Sequence, residues 1–215
     1  MKSFLIIGMG TFGHHLCREL AKQKCEIMAV DARQELLEDV LSLVVSARIA
    51  DCTNEEALRS FDIPSFDACF VCIGGNFQNS LEITSLLKEL GARKVFSKAD
   101  EDIQAKFLRR IGADEVIYPE QDAAAGIAVS ESSDSIFDCI PLSGEYAIFE
   151  ITPKREWIGR TLRDVDVRQG FGLNVLAAKK DGVLDTMPGP DYVFRTEEHL
   201  IVMGRRDDIW RAVDR

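Results

Sequence analysis

The stretch Phe4-Leu5-Ile6-Ile7-Gly8-Met9-Gly10-Thr11-Phe12-Gly13 limits what this chain can fold into more than any other. An apolar run enters a Gly8-x-Gly10-x-x-Gly13 turn. A helical pattern with Leu16 and Leu20 follows to about Gln23, and a second apolar run, residues 27–30, stops at Asp31. Strand, glycine turn, helix, strand and acid, in that order, form the setting in which a nucleotide-binding turn works. Gly8 permits the tight turn off the strand, Gly10 leaves the backbone open to a phosphate, and Gly13 lets the helix pack close to the sheet. The helix start presents unpaired N–H groups and the positive end of a dipole to an anion. Asp31 stands where a carboxylate accepts ribose hydroxyls and repels a 2′-phosphate, which disfavours NADP. The competing reading is a glycine turn that only joins strand to helix; the complete setting favours nucleotide binding.

The alternation continues. Residues 34–43 read as a helix and 44–50 as a third strand, ending at Asp51. Thr53 or Asn54 caps the next helix, with Glu55 and Glu56 in its first turn. Residues 66–73 form the continuous apolar run expected of a parallel strand buried on both faces. Gly74-Gly75-Asn76 follows, then a helix over 80–90 stopped by Gly91. A strand at 93–97, a helix at 102–111 closed by Gly112, and a strand at 115–118 complete a doubly wound, Rossmann-like α/β sheet of six parallel strands. Ligands on such sheets bind beyond the carboxyl ends of the strands. Those ends hold Gly8 to Gly13, Asp31, Asp51, Gly74 to Asn76, Ser97-Lys98 and Glu120. Three of these keep a plainer alternative: Asp51 as a helix cap, Asn76 as a turn residue and Lys98 as a solvated charge.

From Gln121 the pattern changes. Residues 123–130 read as a small-residue helix, and Ile136 to Pro141 as an apolar connector with no place left in a completed sheet, free to pack on a second subunit or on its own chain. Residues 146–151, 173–178 and 199–204 read as strands, 158–165 as a short helix, Asp181-Gly182 as a hairpin turn and Asp207 as the start of a last helix. This is a small α+β domain; the boundary is set at 1–135 and 136–215. The net charge of −10 argues against nucleic acid as a partner. No run reaches membrane-span length, and the apolar start leads into the glycine turn rather than a cleavage site, so a cytoplasmic protein is expected. The six cysteines are scattered through apolar stretches. Cys69-Phe70-Val71-Cys72 lies in a strand, where residues three apart point to opposite faces, so buried thiols are expected rather than a redox or metal site. His14, His15 and His199 form no metal cluster in sequence.

The order of pieces resembles the RCK family, and in particular the cytosolic regulatory subunits of Ktr/Trk potassium uptake systems. In the first half the resemblance rests on Ile7-Gly8-Met9-Gly10-x-Phe12-Gly13, Ala29-Val30-Asp31, Asp51-Cys52-Thr53, Val71-x-Ile73-Gly74-x-Asn76-x-Gln78, Ile111-Gly112-Ala113-Asp114 and Pro119-Glu120. In the second half it rests on Ile158-Gly159-x-Thr161-Leu162, Asp166-Val167-Arg168 and Leu200-Ile201-Val202-Met203-Gly204. It implies a non-enzymatic subunit that dimerises, with the helix after Glu120 as a crossover. The dimers would assemble into an octameric ring on the inner face of the membrane beneath a potassium channel or transporter. It implies nucleotide contacts from Gly8, Gly10, Thr11, Phe12, Gly13, Asp31, Asp51, Cys52, Gly74, Asn76, Lys98 and Glu120. The ligand would be ATP or ADP in the Ktr branch and NAD or NADH in the Trk branch. Glu120 matches a glutamate that helps hold Mg²⁺ or another divalent cation, and Arg168 and Asn174 match contacts to cyclic di-AMP. Ktr subunits often carry an arginine inside the glycine turn, where this chain has Thr11; ADP, AMP and NAD(H) therefore stay open beside ATP.

Two other functions compete. An NAD-dependent oxidoreductase or epimerase needs an acid or base beside the nicotinamide. The roughly 75 residues after the nucleotide domain hold one histidine and no Tyr-x-x-x-Lys pair. A nucleotide sensor for some other transporter would share the same fold.

Overall fold

In the computed structural model, which describes residues 1–213, the chain forms two compact units that divide between Gln121 and Asp122. The first is built from β1 (Ser3–Ile7), α1 (Thr11–Lys22), β2 (Glu26–Asp31), β3 (Ser46–Ile49), α2 (Glu55–Arg59), β4 (Ala68–Val71), α3 (Phe77–Glu89), β5 (Val95–Lys98), α4 (Asp102–Arg110) and β6 (Glu115–Ile117). Its six strands run parallel in the order β3-β2-β1-β4-β5-β6. After β3 the chain crosses to the far side of β1, so the strand order reverses there, and a crevice opens where it does.

The period of two along the strands sorts side chains onto two cores. Leu5, Ile7, Val30, Cys69 and Val71 pack on one face of the sheet. Phe4, Ile6, Ala29, Phe70 and Cys72 pack on the other. Cys69 and Cys72 thus lie on opposite faces, as their spacing requires, and all six cysteines are free thiols. Each fully buried aliphatic side chain contributes about 1.5–3 kcal/mol, so these central strands are the rigid base of the site.

The helix expected over residues 34–43 is instead two short 3-10 turns, Gln34–Leu36 and Glu38–Val40. The first has Arg33 in its capping position and no side-chain cap, and the buried residues are Leu37 and Val40, three apart. With only Leu37 and Val40 buried among residues 34–43, little packing is available to stabilise a longer helix. The third strand is likewise shorter than its apolar run, because β3 is an edge strand and Arg48 and Ile49 are exposed.

Helix α5 (Pro119–Ser130) spans the division between the units and starts at Pro119, four residues before the expected start at Ala123. Proline is well placed in a first helical turn, where its missing N–H has no acceptor to lose. None of the residues of α5 is buried, and Ile127 is largely exposed.

The second unit holds β7 (Ile136–Pro141), β8 (Tyr146–Ile151), α6 (Leu162–Val165), α7 (Val167–Phe171), β9 (Asn174–Lys180), β10 (Val183–Asp185), β11 (His199–Arg205) and α8 (Arg206–Ala212). The strands form an antiparallel sheet in the order β10-β9-β11-β8-β7. The apolar connector does have a place: it is β7, the edge strand of this second sheet, paired with β8 of its own chain. Asp181 and Gly182, both at positive φ, make the two-residue hairpin turn between β9 and β10. The core gathers Phe149, Trp157, Val167, Phe194, Leu200, Val202 and Ile209.

Candidate functional site

The carboxyl ends of β1, β2, β3 and β4 surround a cavity of about 280 Å³. Gly8, Gly10, Asp31, Arg33, Asp51, Cys52, Gly74 and Asn79 are among the residues that line it. The glycine turn sets its floor. Gly8 has φ +93°, and a side chain there would meet Ile73 and the Cys72 backbone at 3.0–3.2 Å. A Cβ on Gly13 would sit 2.1 Å from the Gly8 carbonyl oxygen, so this glycine lets the first turn of α1 close onto the turn itself. A Cβ on Gly10 would meet nothing within 4 Å; the space above it is open to a ligand. Gly10 is the residue before α1 and offers no side-chain cap, which leaves the first-turn amides to a bound anion.

Asp31 ties the turn to β2. Its Oδ2 accepts a hydrogen bond from the Met9 amide at 2.7 Å, and its Oδ1 accepts one from the Arg33 amide at 2.9 Å. A carboxylate has about four lone-pair sites, so roughly two remain for ribose hydroxyls. Asp51 turns inward on its own loop: Oδ1 accepts from the Thr53 amide at 3.0 Å and from the Thr53 hydroxyl at 2.7 Å, and these bonds hold its carboxyl below the usual range. The cap of α2 is Asn54, whose side chain accepts from the Glu56 amide at 2.9 Å. Asp51 therefore lines the cavity rather than capping the helix. Burial pushes the Cys52 thiol up to about 12, so it serves as a neutral wall.

Lys98 and Glu120 lie outside this cavity. Lys98 Nζ donates to Glu120 Oε1 at 2.7 Å and lies 3.2 Å from Asp100 Oδ1. Burial lowers the Lys98 pKa, but the bonds to Glu120 and Asp100 outweigh it and hold the ammonium above its ordinary value. The same bond to Lys98 depresses the Glu120 carboxyl. Asn76 caps α3 by accepting from the Asn79 amide at 3.2 Å. Thr11 is exposed on the first turn of α1, and Phe12 packs against the core beneath it.

In the second unit, Arg168 and Asn174 line one cavity of about 540 Å³, together with Arg163, Asp166, Leu173 and Pro190. Thr161 and Asp164 form a capping box at the start of α6, and Asp166, at φ +46°, ends that helix and caps α7 with its side chain. That sharp junction carries Arg168 to the cavity. A larger depression of about 630 Å³, lined by Ser132, Arg155 and Trp210 among others, holds none of the residues the motifs single out.

The family model described as TrkA-N domain matches residues 4–119, and the model described as TrkA-C domain matches residues 146–214. The "Ktr system potassium uptake protein A" of Bacillus subtilis (strain 168) is 37% identical over 210 residues, which cover 98% of this chain and 95% of that protein. The chain belongs to the Ktr/Trk family of potassium uptake proteins. The "Ktr system potassium uptake protein A" of Vibrio alginolyticus is 29% identical over 97% of this chain and 94% of that one. Among solved structures, the GsuK RCK domain superposes with a TM-score of 0.66 at 16% identity, over 97% of this chain and 46% of that one. A structure described as the GsuK channel bound to NAD gives 0.67 at 15% identity, over 96% of this chain and 38% of that one. At these identities both show the fold alone.

Within this family frame, the structure gathers Gly8, Gly10, Asp31, Asp51, Cys52 and Gly74 around one cavity, and Arg168 and Asn174 around another. It does not bring Lys98, Asn76 or Glu120 to the first cavity. Among the described residues no group of three His, Cys, Asp or Glu side chains is placed to hold a metal ion. Sequence reasoning missed Arg33 and Asn79 in the first cavity and Arg163 in the second. Arg33 was findable, since it lies two residues past the acid that ends β2; Asn79 was hidden inside a helix whose start had been set too late. No helix of the described residues is long and apolar enough to cross a membrane.

Proposed function

We propose that this chain is a non-enzymatic, nucleotide-binding regulatory subunit that gates a membrane potassium channel or transporter. A ligand in the first cavity would shift the assembly between two shapes by its differential affinity for them. The observation that carries this is the cavity at the sheet's switch point, with Asp31 holding spare acceptor sites beside an uncapped helix start. Full-length likeness to potassium uptake proteins supplies the physiological setting. The ligand is an adenine nucleotide, ATP or ADP, with NAD or NADH as the alternative. The absence of an arginine at Thr11 weakens any preference for a third phosphate. The neighbour bound to NAD supports only that this fold accepts such a ligand.

The finer assembly follows the same reading. The chain forms a homodimer, and dimers build an octameric ring at the inner face of the membrane beneath the potassium-translocating partner. The apolar α5, with no buried residue, supports a crossover helix that packs on a second copy and belongs with the first domain, for which the boundary at 135/136 is kept as part of this proposal. Mg²⁺ is commonly held by one or two carboxylates plus phosphate oxygens, so Glu120 alone suffices as the protein ligand of a nucleotide-bound cation. In the second unit, Arg163 and Arg168 would face the phosphates of cyclic di-AMP. The test is a thermal-shift panel on the purified chain with ATP, ADP, AMP, NAD, NADH and cyclic di-AMP, each with and without Mg²⁺. A ligand at one hundred times its Kd adds about 2.7 kcal/mol, which is readily seen. Stabilisation by an adenine nucleotide and, separately, by cyclic di-AMP supports the Ktr-type reading. Stabilisation by NADH alone moves the ligand to the Trk type. A flat response to every nucleotide overturns the proposal.

A further inference from the structure

The cavity that Arg168 and Asn174 line has one wall that belongs to no helix or strand. Residues 186–198 run from the end of β10 to β11, and Pro190 is where this stretch reaches the cavity. Backbone hydrogen bonds lace the stretch to the start of α6. The Leu162 amide donates to the Tyr192 carbonyl at 2.8 Å, the Arg163 amide to the Pro190 carbonyl at 2.9 Å, and the Phe194 amide to the Arg160 carbonyl at 3.0 Å. Leu162 and Arg163 line the same cavity. The first-turn amides of α6, which a helix cannot satisfy internally, therefore depend on where Tyr192 and Pro190 sit. Arg163 is held twice, because its Nη2 also lies 3.0 Å from Asp191 Oδ1 on the same stretch.

Glu198 fixes that position. It is 2% exposed, and both its oxygens are used: Oε1 accepts from the Arg195 amide at 2.8 Å, and Oε2 accepts from the Tyr192 hydroxyl. A carboxyl group buried this far costs stability unless such bonds are made, so the pair acts as one unit. Burial first, and then the bond to Glu198, push the Tyr192 phenol up, which keeps it a donor. The Tyr192 ring packs edge-on against Phe194, with centroids 6.1 Å apart, and Phe194 belongs to the core of the second unit. Neither Glu198 nor Tyr192 lines the cavity. We propose that they are positioning residues for it: the buried Glu198 holds Tyr192, and the Tyr192 stretch holds Leu162, Arg163 and Pro190 in one arrangement that receives a cyclic dinucleotide. This inference rests on the cyclic di-AMP reading given above. Without the Tyr192 hydroxyl the wall is looser, and the ligand must order it on binding, which lowers affinity.

The experiment is titration calorimetry of cyclic di-AMP on the full chain, at a temperature where circular dichroism shows every variant folded. Tyr192→Phe keeps the ring, removes the hydroxyl, and should weaken the ligand about fivefold. Glu198→Ala should weaken it at least as much. Glu198→Gln keeps an oxygen for the Arg195 amide and offers an NH2 that the Tyr192 hydroxyl can accept, so it should bind within about twofold of wild type. Hydrogen exchange without ligand should quicken at the Leu162 and Arg163 amides in Tyr192→Phe. A role in stability alone would lower the unfolding midpoint and leave the affinity of the folded chain unchanged, and that result overturns the inference. Arg168→Ala tests the reading beneath it. If wild type ignores cyclic di-AMP, or Arg168→Ala binds it as wild type does, that reading fails and takes this inference with it. If Arg168→Ala loses the ligand while Tyr192→Phe and Glu198→Ala keep wild-type affinity, the positioning role alone fails.

Discussion

Asp31 staples the glycine turn to β2, and the proposed function gives it a second job at the ribose; the two can be separated. Met9 is 0% exposed, so its amide has no water to turn to when the Asp31 carboxylate is removed. A lost hydrogen bond to a charged group costs about 1.5–3 kcal/mol. The Arg33 amide is better placed, since Arg33 is exposed and water can replace its bond. The Arg33–Asp31 ion pair, at 3.9 Å with Arg33 64% exposed, adds about 0–0.5 kcal/mol. Asp31→Ala should therefore loosen the glycine turn by about 2 kcal/mol before any ligand is added. Asp31→Asn keeps an acceptor for Met9 and should cost less than about 1 kcal/mol, yet lose the charge-assisted bonds to ribose, worth roughly tenfold to a few hundredfold in affinity. Both tryptophans lie in the second unit, so tryptophan fluorescence does not report on this turn. Hydrogen exchange of the segment around residues 8–13 does. Wild-type protection there in Asp31→Ala would refute the stapling role, and wild-type nucleotide affinity in Asp31→Asn would refute the ribose role.

Other outcomes follow from the same geometry. Gly13→Ala must move a Cβ that would lie 2.1 Å from the Gly8 carbonyl, and should cost more than about 2 kcal/mol in urea unfolding; a midpoint equal to wild type contradicts that packing. The Cys69 and Cys72 thiols, pushed to about 12 by burial, should resist iodoacetamide at pH 8 in the native chain, while the half-buried Cys25 labels first in mass spectrometry. Burial of Glu150 opposes its ionisation, but the bonds from Lys179 at 2.8 Å and His199 at 2.7 Å outweigh it and hold the folded carboxyl below its ordinary value. A depressed carboxyl stabilises above its unfolded pKa and loses that contribution as pH falls through the folded one. The stability gap between wild type and Glu150→Gln, read from Trp157 and Trp210 fluorescence, should be full at pH 6 and shrink below roughly pH 4. Arg168→Ala should weaken cyclic di-AMP by about tenfold or more and spare ligands of the first cavity; equal loss at both would refute two separate sites.

The parallel sheet was legible because its central strands are continuous apolar runs between glycine-marked turns, and nothing else in the chain competes for them. The misread stretches are those where burial, not pattern, decides. Residues 34–43 carry helical spacing, but only Leu37 and Val40 are buried there, too little packing to hold more than short turns. The run from Ile136 looked surplus because the first sheet was complete; its partner, β8, belongs to a second sheet whose order no local signal encodes. Gly8, Gly10 and Asp31 were readable from spacing, since their jobs are fixed by backbone geometry. Arg33 lies two residues past Asp31 and was within reach of the same spacing, whereas Asn79 and Arg163 reach their cavities through three-dimensional proximity alone. Glu198 gave no sequence signal at all, being one of two adjacent acids before β11 until its burial and its bond to Tyr192 were seen.

The most direct test of a nucleotide-gated regulatory subunit is potassium flux into vesicles that hold the Ktr-type membrane subunit expressed with this chain. Added chain should change the flux, ATP and ADP (or NAD and NADH) should give different rates, and Asp31→Asn should erase that difference while the chain still binds the vesicles. A flux indifferent to the chain at saturating nucleotide, or equal for every ligand, would contradict gating through this site.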